Sequence, residues 1–137
     1  MRNLDLLRRQ HDEILAIIGD IEGLIRKNDP AKTAPEMALA VNTLSGKLKM
    51  HLLSEDQHLY PALMDSSDPA LKSTASDFYA EMGHLAETFA KFVQDYNVPA
   101  KILRDTGKFA ADSKKVFDAV KNRISRESSR LYPLAEG

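Results

Sequence analysis

The 137-residue sequence predicts an all-α protein, an antiparallel up-down-up-down four-helix bundle forming one domain over residues 1–137. Three observations lead there. Apolar residues recur at helical spacing through four long segments. Short breaks that combine proline or glycine with a capping residue separate those segments. Nothing between the breaks alternates with the period of two that a strand requires.

The first predicted helix covers residues 4–27, with Leu4, Leu7, His11, Ile14, Ile18, Ile21 and Ile25 on one stripe. Asn28-Asp29-Pro30 ends it. The second covers 35–64, opening on Pro35, since proline suits a first helical turn. Its stripe is Met37, Val41, Leu44, Leu48, His51, Glu55, Leu59 and Ala62. Ser66-Ser67-Asp68-Pro69 separates it from the third, 69–96, which carries Leu71, Ala75, Phe78, Met82, Leu85, Phe89, Phe92 and Tyr96. Asn97-Val98-Pro99 and Asp105-Thr106-Gly107 lead into the fourth, 107–132, striped by Phe109, Ser113, Val116, Val120, Ile124, Glu127 and Leu131. Helices of this length joined by short connections pack as antiparallel neighbours.

Composition removes several functions. Nineteen lysines and arginines against twenty acids leave a net charge of −1, so no general attraction to nucleic acid or to an anionic membrane is expected. The chain has no cysteine, which excludes disulfides, thiolate zinc sites, iron–sulfur clusters and cysteine nucleophiles. Apolar runs such as Leu15 to Ile18 fall far short of the roughly 20 residues that span a bilayer. The first residues lack the apolar core of a signal peptide, so a cytoplasmic protein is expected. No Gly-x-Ser-x-Gly elbow or phosphate-binding glycine loop is present, and an enzyme is not expected.

The ends of the second and fourth helices repeat each other at an offset of 72 residues. Glu55 lies over Glu127, Leu59-Tyr60-Pro61 over Leu131-Tyr132-Pro133, and His51 over Arg123. Duplicated helix pairs with a carboxylate in each half are a way to place ligands around one central point. On a helical wheel Glu55, Glu127, His11 and His51 fall within about 15–55° of their stripe centres, so they point into the core. A single histidine there is usually a hydrogen-bonded core residue, and a single glutamate usually a surface ion-pair partner. Four such groups from three helices, two of them repeat-related, point instead to a metal site, because buried charge is costly unless paired or metal-bound. Imidazole with carboxylate suits iron, manganese or zinc.

His11 within Arg9-Gln10-His11-Asp12-Glu13-Ile14, and His51-x-x-x-Glu55 followed by Asp56 and Leu-Tyr-Pro, resemble the hemerythrin-like (HHE cation-binding) domains. The resemblance covers essentially the whole chain. It implies a four-helix bundle holding non-haem iron, with His11, His51, Glu55 and Glu127 as ligands and the two glutamates bridging. It further implies dioxygen binding, sensing of oxygen or nitric oxide, or iron storage, with a diatomic gas as ligand and an unidentified protein as partner.

The sequence departs from that family in two places. Arg123 stands where the fourth helix of the family has a histidine, and arginine cannot lose its proton to become a ligand. The third helix offers only His84, about 125° from its stripe, whereas Glu81 lies about 65° away. Glu81 therefore ranks ahead of His84 as the third-helix contribution. The expected set is His11, His51, Glu55, Glu81 and Glu127, holding one iron or an asymmetric pair. Against it stands a metal-free bundle in which Arg123 pairs with Glu81, Glu127 or Glu55 while His11 and His51 form hydrogen bonds, and which acts as a protein-interaction or regulatory module. Both readings are open at the level of sequence. His58 is expected at the surface, and Tyr60 and Tyr132 at the end of the bundle as caps.

Overall fold

A computed structural model describes residues 4–136, and every regular element among them is helical. The long helices are α1 (Asp5–Arg26), α2 (Pro30–His58), α4 (Pro69–Tyr96) and α6 (Thr106–Arg126). Short helices α3 (Tyr60–Met64), α5 (Pro99–Arg104) and α7 (Tyr132–Glu136) sit between or after them. A π-helical turn, Glu127–Leu131, joins α6 to α7.

Side-chain pairs fix the directions. Gln10 and Glu13 of α1 meet His51 and Lys47 of α2, while Glu22 meets Lys121 of α6 and His11 meets Glu127 of the π turn after it. Glu81 and Tyr96 of α4 meet Arg126 and Asp112, and Asn42 of α2 donates to the carbonyl of Asn97 just past α4. In each of the three helix pairs joined by two such contacts, one number rises as the other falls, so α1 runs antiparallel to α2 and to α6, and α4 antiparallel to α6. No described helix is long and apolar enough to cross a membrane.

The ends obey local chemistry. Asn28 terminates α1 with a φ of 53°, a left-handed position that asparagine tolerates. Asp68 caps α4 through the amide of Ala70 at 3.0 Å, and Asp105 caps α6 through Lys108 at 3.0 Å.

Several predicted boundaries are corrected. The second helix starts at Pro30 rather than 35, because Pro30 serves the first turn and Pro35, on an exposed side of the helix, leaves its freed carbonyl to water. It also stops being continuous at Leu59, where φ and ψ are −117° and −65°. The fourth predicted helix, 107–132, ends its α geometry at Arg126, and the Tyr132 amide bonds to Glu127, five residues back. Proline explains both interruptions: Pro61 and Pro133 bring no N–H, and their rings crowd the carbonyl four residues earlier. The connection predicted between 96 and 107 contains α5, opened by Pro99.

Two apolar clusters fill the bundle. The larger runs through Ile14, Ile18, Leu44, Phe92, Phe117 and Val120, and the smaller closes one end with Leu7, Leu59, Leu63, Phe78, Leu131 and the two tyrosines. Leu44 is completely buried, so Leu44→Ala is expected to cost about 3 kcal/mol and to lower Tm by about 10 °C, read by thermal unfolding. Between the clusters lies a layer of buried polar side chains.

Candidate metal centre

Three elements build that layer. α1 contributes His11, one turn after Leu7 and one before Ile14. α2 contributes His51 and Glu55, which share a face because they are four residues apart. α6 and the π turn that follows it contribute Arg123, from the last turn of α6, and Glu127, the first residue of the π turn. All five are buried, none more than 3% exposed. His11, His51, Glu55 and Glu127 each offer one ligand atom, and these atoms lie within 4.8 Å of one another.

The hydrogen bonds cross between the repeated halves. Tyr132 donates its phenol to Glu55 Oε2 at 2.7 Å, and Tyr60 donates to Glu127 Oε2 at 3.0 Å. Each carboxylate is thus oriented by the tyrosine of the other half. The tyrosines pack in the cluster that closes the end of the bundle, as expected of caps, and the two proline interruptions also turn their hydroxyls inward. A π turn advances the chain by less than the α-helical 100° per residue, which brings Tyr132 round to the face of Glu127. Arg123 Nη2 donates to the Tyr60 oxygen at 2.6 Å and to Glu127 Oε2 at 3.5 Å.

The histidines are aimed as ligands are. Gln10 Oε1 lies 2.8 Å from His51 Nδ1, and a carbonyl oxygen can only accept, so Nδ1 carries the proton. Its Nε2 therefore presents a lone pair, 3.4 Å from Glu55 Oε1 and 3.8 Å from Glu127 Oε1. His51 Nε2 and Glu55 Oε1 are both buried without a hydrogen-bond partner. Such groups cost about 1–3 kcal/mol each when left so. His11 bridges Ser128 Oγ at 3.0 Å and Glu127 Oε1 at 3.1 Å, and its Nε2 also lies 3.1 Å from the Tyr132 oxygen.

Electrostatics assign the charges. Burial, reinforced by the neighbouring Glu127 charge, pushes Glu55 well above the ordinary carboxylate range. Burial acts on Glu127 in the same direction, but His11, His51 and Glu55 around it and the Arg123 charge outweigh it and hold it low. Burial also lowers His51, keeping its imidazole neutral. Burial and the two carboxylates raise both phenols, which stay protonated as permanent donors. One carboxylate is thus balanced by a guanidinium and the other by a proton. A cation bound by His51 Nε2 and Glu55 Oε1 would take the place of that proton, and the mixed imidazole and carboxylate donors suit iron, manganese or zinc. The residues present fit a metal ion.

The structure brings together four of the five residues expected from sequence. Glu81 lies at the rim, with its side chain 49% exposed, outside the group whose ligand atoms converge. Arg126 holds it through both oxygens at 3.2 and 2.7 Å, and Arg123 Nη1 reaches it at 3.5 Å. The pairing of Arg123 with Glu81 and Glu127 follows the network read from sequence. His58 and His84 are exposed. Sequence reasoning missed Gln10, whose neighbour His11 was its only signal, and Ser128, which had none. It placed the tyrosines at the end of the bundle but missed their hydrogen bonds to the two carboxylates, although their repeat was in view. Beside the centre, His51, Arg123 and Glu127 meet Leu48, Leu52, Leu85, Val120 and Ile124 around a cavity of about 10 Å3. That is about the room that one water-sized molecule needs, and Arg123 Nε is a buried donor without a partner.

A family model, that of the hemerythrin HHE cation binding domain, matches residues 2–135. No curated protein and no solved structure matches the chain.

Proposed function

The chain belongs to the hemerythrin HHE cation-binding domain family, and from that membership we propose that it binds a single non-haem iron through His11, His51, Glu55 and Glu127 and senses or carries a diatomic gas. One observation carries the reading: His11, His51, Glu55 and Glu127 turn ligand atoms to within 4.8 Å of one another in a buried cluster, where His51 Nε2 and Glu55 Oε1 make no hydrogen bond within normal reach. Acceptors so placed repel unless a proton or a metal lies between them.

Arg123 is why one iron is proposed rather than two. Its guanidinium engages the outer oxygen of Glu127, leaving Oε1 to face the histidines. A second cation beside it would meet a fixed positive charge at short range.

Bound iron would supply the redox-active centre to which dioxygen or nitric oxide coordinates. The protein's own residues supply the rest. Gln10 fixes the His51 tautomer, as outer partners of ligating histidines do. Tyr132 and Tyr60 hold the carboxylates in orientation. The apolar wall around the small cavity excludes bulk water, and the free N–H of Arg123 supports retention of a small polar guest.

The test is metal analysis of protein reconstituted with ferrous iron, read with its absorption spectrum before and after nitric oxide. About one iron per chain with a new nitrosyl band is expected. A folded, helical chain that takes no iron would sink the proposal and favour the metal-free network, in which Arg123 and the shared proton alone balance the carboxylates.

A further inference from the structure

Beside the metal centre, and sharing Arg123 with it, α4 and α6 line a groove with about 340 Å3 of room. Sites for small molecules hold roughly 300–1,000 Å3. Lys115, Arg123 and Arg126 line it against one acid, Glu81, in a chain whose overall charge is −1. Its floor is apolar, made by Leu85, Val116 and Ala119. Among the described residues, neither the Lys115 ammonium nor the His84 ring has an ion-pair or hydrogen-bond partner.

The groove already holds a carboxylate, the chain's own. Arg126 grips Glu81 as a fork, at 3.2 Å to Oε1 and 2.7 Å to Oε2, and Arg123 Nη1 adds a contact at 3.5 Å to Oε2. Planar two-point contact of this kind is what arginine offers a carboxylate. Glu81 is nevertheless half exposed, so its hold is that of a surface ion pair, readily exchanged for a competing anion.

We infer that the α4–α6 groove is a binding site for a small organic carboxylate, which takes the Arg126–Arg123 fork from Glu81 and lays its apolar body on Leu85, Val116 and Ala119. Lys115 and His84 complete the polar rim. The site requires no metal, so it stands or falls apart from the iron reading. Through Arg123, whose other nitrogen contacts Tyr60 and Glu127, an occupant would touch the side chain that orders the buried centre.

Benzoate is the probe, with benzamide as its uncharged counterpart, titrated into the full metal-free chain by calorimetry and amide NMR. Saturable benzoate binding is expected, with shifts concentrated in residues 81–88 and 115–126. Glu81→Gln removes the internal competitor and is expected to tighten benzoate binding about fivefold. Arg126→Gln, at a partly exposed position, is expected to weaken it about tenfold. Both variants should keep the helical circular-dichroism spectrum, since neither residue is buried. Equal binding of benzamide, no saturable binding up to about 10 mM, or a Glu81→Gln variant that binds benzoate no better would each overturn the inference.

Discussion

Replacing Arg123 with histidine is expected to raise the iron content from about one to about two per chain. The repeat dictates the substitution: Arg123 stands to Glu127 as His51 stands to Glu55, four residues earlier on the same helical face. Arg123→His would supply the missing imidazole and remove the positive charge now fixed on Glu127 Oε2. The same change should destabilise the metal-free protein by about 3 kcal/mol, because Glu127 would lose its buried partner. Iron analysis after anaerobic reconstitution, alongside urea unfolding in the presence of a chelator, measures both. Iron content unchanged at one per chain would remove Arg123 as the block to a second ion.

Glu55→Gln is expected to reduce iron content to about a tenth or less while making the metal-free protein more stable near neutral pH. The sign follows from the proton on Glu55. Its folded pKa is raised above the ordinary 4.5, first by burial and then by Glu127. The stability gained by keeping that proton is complete below the ordinary value and is lost as pH rises through the folded one. Glutamine cannot ionise, so the variant escapes the loss. Glu127 works oppositely: its lowered pKa contributes stability that disappears only in acid, outside the neutral window. Thermal unfolding of both metal-free proteins between pH 5 and 8 should therefore diverge, with wild type falling relative to Glu55→Gln as pH rises, while the lowered His51 adds the same loss below its ordinary value to both. Parallel curves would mean that Glu55 is not the protonated member of the pair.

Much of this was legible in the sequence because it rests on periodicity. The stripe in each long segment identified the helices, and the same wheel turned His11, His51, Glu55 and Glu127 inward. The wheel fails where the helix does. It assumes 100° per residue, so Tyr60 and Tyr132 lay beyond its reach once Pro61 and Pro133 broke the ladder before them. Glu81 shows its other limit. An angle of about 65° leaves a long side chain free to turn either way, and the choice fell to Arg126 from another helix. Gln10 was hidden for the same reason, since its partner His51 comes from a different segment.

The crossed tyrosines make the two halves of the chain one cooperative folding unit. Residues 5–64 alone would carry Glu55 without the hydroxyl of Tyr132, and residues 69–136 would carry Glu127 without Tyr60 or His11. Each half would leave its own carboxylate to be solvated, and hydrating that group opens the core around it. Neither helix pair is then a stable intermediate, and slow hydrogen exchange should extend across α2 and α6 to a common level. Severing the chain within residues 65–68 would yield fragments that order only when mixed.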